Sequence, residues 1–219
     1  MVGAQSKLEA GGTPRHSLAQ PGAPERDDVI RLSGASWSDF ERILELRGDR
    51  RGPRVSLLRG ELELVSPSRS HERYKSTLGR LLEAWCIENG IDVSSVGSWT
   101  LRDPGLEVGL EPDECYLIED RRSKVEVEAD EPQRPDLAIE VIWTSGGVAK
   151  LEAYRALGVS EVWMWQDGRI RVFVLEAEGY VERSTSRWFP SLELSVLEEL
   201  AHVQPMTEAI RQLKARWTA

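Results

Sequence analysis

Residues 36–47 carry Phe40, Ile43, Leu44 and Leu46 mostly on one side, with Ser36 or Ser38 as cap, and predict a first helix. From Ser70 a longer amphipathic helix follows, with Tyr74, Leu78, Leu81, Leu82 and Trp85 as its apolar face and Gly90 as its stop. Between them, residues 55–65 alternate about Arg59-Gly60 and predict a hairpin. Looser alternation over 91–101 predicts a strand ended by the Asp-Pro-Gly turn at 103–105, and 110–119 a second strand around Asp113. Residues 137–142 are apolar except for Glu140, as in a central strand covered on both faces. A helix over 148–157 follows, ending at Gly158. Residues 161–165 and 170–175 then form a hairpin about Asp167-Gly168, a further turn falls at 178–180, and helical segments occupy 192–200 and 206–217. The order predicts an α/β protein built around one mixed sheet, with at least one βαβ unit and no internal repeat.

Composition sharpens the edges of this reading. Residues 1–28 are rich in Gly, Pro, Ser and Gln and read as a flexible tail, leaving 29–219 as one domain. The tail has no apolar stretch of the kind a secretory signal needs, and no run approaches the roughly 18 apolar residues of a membrane helix. No membrane partner is expected, and the cytoplasm is the expected location. Two cysteines, Cys86 and Cys115, are too few for a disulfide framework or a zinc site, and their apolar surroundings suit buried free thiols. The net charge of −9 argues against bulk electrostatic attraction for nucleic acid but leaves room for a local basic patch. The densest such patch is Arg47, Arg50, Arg51 and Arg54, expected either to contact phosphate or to be a solvated loop.

The candidate chemistry lies in acids set within apolar strands. Side chains four apart on a strand return to one face, so Asp136 and Glu140 can point together, and Asp113 lies on a strand that can pair alongside. An ionised carboxylate is costly to bury alone, and a divalent cation offsets that cost; oxygen ligands select Mg²⁺ or Mn²⁺ over zinc. Lys150, at the start of the next helix, is in reach to orient a water or balance charge. The plainer alternative is that Asp136 caps a turn, Glu140 pairs with an arginine and Lys150 is a surface residue. His71, in the first turn of its helix, is a ligand, a proton shuttle or a hydrogen-bonding surface residue. Glycine-rich phosphate loops, GxSxG and HExxH are absent, which removes the commonest nucleotide-binding, serine hydrolase and zinc protease readings.

Three ordered segments, LELVSPSRSHERYKSTLGRLLEAW, GLEPDECYLI and RPDLAIEVIWTSGGVAKLEAYRALGVSEVW, resemble the Uma-two family of restriction-endonuclease-like proteins, within the PD-(D/E)xK nuclease superfamily. The resemblance spans about residues 33–200. It implies a restriction-endonuclease-like core, a mixed β-sheet flanked by helices. It matches Asp113 and Glu140 to the metal-binding acids, with Asp136 as second choice, and Lys150 to the catalytic lysine. Ile142 stands where the simple E-x-K spelling has its lysine, so the lysine has moved to the following helix. His71 matches a helix-start position near the site, and Glu63 an acid on the preceding hairpin. The implied activity is Mg²⁺- or Mn²⁺-dependent hydrolysis of DNA phosphodiesters, with a homodimer as the implied assembly. The competing reading is a non-catalytic nucleic-acid or protein-binding module that keeps the nuclease fold.

Overall fold

The computed structural model describes residues 26–48, 50, 52–119, 134–143 and 147–216, with no account of the side chains of 147–149. Most of the stretch read as tail and the charged connection after Glu119 lie outside the described residues.

Eleven strands are described: β1 (Asp28–Ser33), β2 (Arg54–Leu58), β3 (Glu61–Ser66), β4 (Val93–Ser95), β5 (Leu101–Asp103), β6 (Val108–Leu110), β7 (Glu114–Ile118), β8 (Leu137–Val141), β9 (Glu161–Gln166), β10 (Arg169–Glu176) and β11 (Gly179–Arg183). Five helices accompany them: α1 (Trp37–Arg47), α2 (Arg69–Glu88), α3 (Gly147–Leu157), α4 (Leu194–Leu200) and α5 (Met206–Ala215). The expected mixed sheet flanked by helices is present, but its strands divide between two sheets. One has the order β1-β3-β2-β6-β5 and the other β11-β10-β9-β8-β7-β4. The single parallel pair among the described strands, β8 with β9, is joined through α3 and is the expected βαβ unit.

Local chemistry accounts for most boundaries. Ser36 and Asp39 form a reciprocal capping box at the start of α1, and Ser68 accepts from the His71 amide at the start of α2. Both predicted hairpins turn on residue pairs of positive φ, Arg59-Gly60 (51° and 77°) and Asp167-Gly168 (50° and 78°), as a type I′ turn requires. Gly109 on β6 is needed for a different reason. A Cβ there would meet the buried Phe40 ring of α1 at 2.3 Å, so the missing side chain lets α1 lie against the strand.

Three departures from the sequence reading bear on the site. The strand expected over 91–101 is only Val93–Ser95, followed by a loop through Trp99. The strand expected over 110–119 is broken at Glu111-Pro112-Asp113. Pro112 cannot donate to a ladder, and there the chain passes from β6 in one sheet to β7 in the other. Asp27 and Asp28, at the end of the stretch read as tail, belong to the fold: Asp28 opens β1, and Asp27 accepts from the Ser68 amide at 2.7 Å. That edge strand is exposed along nearly its whole length, so it lacks the alternation that would have betrayed it.

The second sheet has an apolar cluster on each face. On one, α2, α4 and α5 cover Leu137, Ile139, Val141, Trp163 and Trp165. On the other, α3 packs through Ala153, Tyr154 and Leu157 against Ala138, Val162 and Met164, and against Leu110 of the first sheet. Both Cys86 and Cys115 are buried and free, with thiol pKa values pushed up to about 12 by burial.

Candidate functional site

The break at residues 111–113 puts two acids at the junction of the sheets. Asp113 is 1% exposed, and Glu140, near the end of β8, is 0% exposed. The register that sets Glu114 opposite Ile139 brings Asp113 beside the end of β8, where the Val141 amide donates to its Oδ2 at 2.6 Å. Lys150, in the first turn of α3, donates to Glu140 Oε2 at 2.6 Å, and Tyr154, one turn further on, donates to Glu140 Oε1. The structure therefore brings Asp113, Glu140 and Lys150 together from three elements.

His71 joins them. Its Nε2 lies 2.8 Å from Asp113 Oδ2 and its Nδ1 2.7 Å from Asp27 Oδ2. Two carboxylates facing the two ring nitrogens favour the imidazolium. Burial opposes that charge, but Asp113 and Asp27 outweigh it and raise the pKa. Arg54, at the start of β2, is 2.6 Å from Asp113 Oδ1 through Nη1 and 2.8 Å from Glu72 Oε1 through Nη2. The Arg54 contact with Oδ1 is close enough for an ion pair but lacks hydrogen-bond alignment, so that buried oxygen has no aligned donor.

The two acids are tuned in opposite directions. Burial would push Asp113 up, yet the His71 hydrogen bond and the charges of Lys150, Arg54 and His71 hold its carboxyl well below the usual range. For Glu140 burial prevails and, with the neighbouring Asp113 charge, raises its pKa against the pull of Lys150 and Tyr154. Lys150 loses hydration, but Glu140 and Asp113 more than compensate and raise its pKa, so it is an ammonium at neutral pH.

The remaining predicted residues fall elsewhere. Asp136 is buried just before β8 and accepts from the Ile118 amide at 2.9 Å, which ties it to the β7–β8 pairing. Glu63 pairs with Arg31 at 2.7 Å and lines a cavity of about 350 Å³ with Ser56 and Lys150. Arg47 and Arg54 of the basic patch do not stand free for phosphate, whereas Arg50 is exposed. Arg54 is committed to Asp113 and Glu72, Arg47 is paired through both terminal nitrogens with Glu111, and Arg50 donates to Leu46 O at 3.4 Å. Buried carboxylates lie within reach of Arg47 and Arg54 and draw them inward. Arg51 is outside the described residues.

Three participants escaped the sequence reading. Tyr154 stands four residues after Lys150, so the helical repeat puts both on one face, and that signal was available. Arg54 was read as part of a loop although it opens an alternating strand. Asp27 gave no signal, being 44 positions from the His71 it holds.

The group could hold a hard divalent cation. It offers two buried carboxylates, and Asp113 Oδ1 has acceptor capacity that no aligned donor uses. Among the described residues no three His, Cys, Asp or Glu side chains form a metal cluster. Mg²⁺ is commonly held by one or two carboxylates, with waters and substrate oxygens completing its shell, so two suffice.

Comparison with known proteins agrees with this arrangement at the level of family and fold. A family model described as putative restriction endonuclease, Uma2, matches residues 37–206. The crystal structure of a putative nuclease belonging to DUF820 from Anabaena variabilis is similar, with 15% identity and a TM-score of 0.50 over 75% of this chain and 97% of that chain. At that identity the likeness concerns the fold. No curated protein matches the chain. Among the described residues no helix is long and apolar enough to cross a membrane.

Proposed function

This chain belongs to the Uma2 family of putative restriction endonucleases, and on that premise we propose that it is a metal-dependent endonuclease hydrolysing DNA phosphodiester bonds. Asp113 and Glu140 would hold Mg²⁺ or Mn²⁺. The observation that carries the reading is the meeting of Asp113, Glu140 and Lys150 at one buried point, with Asp113 Oδ1 lacking an aligned donor.

The chain's own residues have separable parts in such a reaction. His71 and Arg54 keep Asp113 ionised and fix its direction. Tyr154 and Lys150 divide the two oxygens of Glu140 between them and fix that carboxylate's direction. Lys150 has a side chain 19% exposed toward the cavity it shares with Ser56 and Glu63. Its raised pKa makes it a donor and counter-charge for a phosphate oxygen rather than a base. A cation bound by the two acids would supply a water of lowered pKa and offset charge on the scissile phosphate.

A second reading has its own support. Arg54 Nη1 already lies 2.6 Å from Asp113 Oδ1, as in a module that retains the acids and neutralises them internally. Plasmid nicking with Mg²⁺, Mn²⁺ or EDTA separates the two. Cleavage that needs metal and falls by at least about 10²-fold in Asp113→Ala, Glu140→Ala and Lys150→Ala supports the nuclease. Cleavage that persists in both acid variants sinks this site, and no cleavage with any metal or substrate favours the binding module.

A further inference from the structure

At the end of the second sheet that carries the acids, a separate cavity of about 230 Å³ is walled by Tyr74, Trp143, Trp165 and His202, with Asp167 at its edge. Tyr74 and Trp165 are buried, but Trp143 is 38% exposed although it is the largest kind of apolar side chain. The Tyr74 ring centroid lies 5.8 Å from that of Trp143, 5.3 Å from that of Trp165 and 5.5 Å from that of His202. The volume is below the range of drug-sized pockets and suits one flat ring system.

Two short covalent links join this cavity to the acids. Trp143 follows Val141, whose amide bonds Asp113, by two residues, or roughly 7 Å of extended chain. Tyr74 follows His71, which also bonds Asp113, by one turn of α2. The cavity and the acids thus share the end of β8 but lie on opposite faces of the sheet, the cavity on the α2 face and Glu140, held by Lys150 and Tyr154, on the α3 face, so a strand reaching both would pass around that end. The charge outside the cavity points to a polyanionic ligand. Arg69, Arg73 and Arg80 are exposed on α2 at helical spacing, and among the described residues they form no ion pair. The Arg73 guanidinium sits 4.5 Å from the Tyr74 ring centroid. A cationic ligand in the cavity would meet that arginine, whereas a polyanionic backbone would be drawn to it.

We propose that the Tyr74–Trp143–Trp165 cavity stacks an unpaired nucleobase of the substrate strand, with its backbone phosphates on Arg69 and Arg73. This deepens the nuclease reading and rests on it for the direction of the strand. It assigns the site to single-stranded DNA or to a duplex with an extruded base, because the ring faces of a paired base are covered by its neighbours in the stack.

Binding of the full-length protein to a single-stranded oligonucleotide carrying 2-aminopurine, titrated in EDTA, tests the proposal without cleavage. The expected result is saturable quenching of the probe, affinity within about threefold in Trp143→Phe, and a loss of about tenfold or more in Trp143→Ala. Arg73→Gln is expected to flatten the salt dependence by about one unit of slope. Because Trp143 is partly exposed, its alanine variant is expected to keep the wild-type circular dichroism. Equal affinity in Trp143→Ala and wild type, or no quenching in wild type, overturns the proposal. So does quenching of tryptophan fluorescence by choline with none by the oligonucleotide. Metal-free binding through Trp143 in a protein that never nicks DNA removes the nuclease reading and keeps this one. Nicking with no role for Trp143 in binding does the reverse.

Discussion

Two buried carboxylates stand two residues apart at the junction of the sheets, and they are treated differently. Glu111 receives Arg47 through both terminal nitrogens, the Thr100 hydroxyl at 2.8 Å and the Val55 amide at 3.0 Å. Asp113 is ringed by His71, Arg54 and the Val141 amide, yet its Oδ1 has no aligned donor and Glu140 adds a like charge nearby. The cations differ as well. Arg47 has Glu111 as its only acidic partner among the described residues, with a carbonyl contact to Pro53. Around Asp113 each cation has another acid to turn to: Arg54 has Glu72, His71 has Asp27 and Lys150 has Glu140. Burial and charge are common to both clusters, so neither marks a functional site. Spare acceptor capacity and like-charge crowding do.

The largest expected effect follows from that difference in partners. Glu111→Gln leaves Arg47 without its acid and is expected to cost about 3 kcal/mol of stability. Asp113→Asn leaves each of its cations with a second acid and is expected to cost less, about 2 kcal/mol. Urea denaturation of both variants checks this, and equal costs would erase the contrast. Next comes metal. If the site alone binds Mg²⁺, saturating Mg²⁺ at about a hundred times its Kd stabilises wild type and Glu111→Gln by about 2.7 kcal/mol. Asp113→Asn and Glu140→Gln gain little, and EDTA removes the increment. Thermal melts in matched ionic strength read this directly.

Acidity gives the clusters opposite arms. The Glu111 pKa lies below its ordinary 4.5: burial opposes ionisation, but Arg47, Thr100 and the Val55 amide prevail. Its stabilising contribution is full above that value and is lost as pH falls through the lowered native one. The gap between wild type and Glu111→Gln is thus expected to close below about pH 4.5. His71 is raised above 6.5, so its contribution is full below 6.5 and is lost as pH rises through the native value. The gap between wild type and His71→Gln is expected to close in that direction. Denaturation midpoints across pH distinguish the arms, and parallel curves for the two variants would contradict them.

How much of this could be read from the chain depends on the range of the interactions. Helices α1 and α2 and the Arg59-Gly60 and Asp167-Gly168 hairpins were legible because caps, periodicity and positive-φ turns act within a few residues. The resemblance carried Asp113, Glu140 and Lys150, and the structure brings these together. Spacing alone favoured Asp136, since it has the parity of Glu140 but not the crossing between sheets that delivers Asp113. That crossing depends on where β6 and β7 find partners, a long-range choice that nothing local to residues 110–119 records. Arg54 looked solvated for the same reason: its partners are 59 and 18 positions away.

The smallest expected effect is also the most selective. Glu140 and Glu161 are both 0% exposed, and each depends on a hydroxyl: Tyr154 donates to Glu140, and Ser186 donates to Glu161 Oε1 at 2.6 Å. Glu161 is further satisfied by Trp163 Nε1 and the Arg187 amide, and no cation is called for there. Tyr154→Phe and Ser186→Ala are each expected to cost about 1 kcal/mol in EDTA, the ordinary worth of one hydrogen bond. Saturating Mg²⁺ is then expected to shrink the Tyr154→Phe cost, because a bound cation gives the orphaned Glu140 oxygen another partner, and to leave the Ser186→Ala cost unchanged. Melts of the two variants with and without metal supply the comparison. Identical responses would mean that Glu140, like Glu161 and Glu111, is a carboxylate held only by the fold.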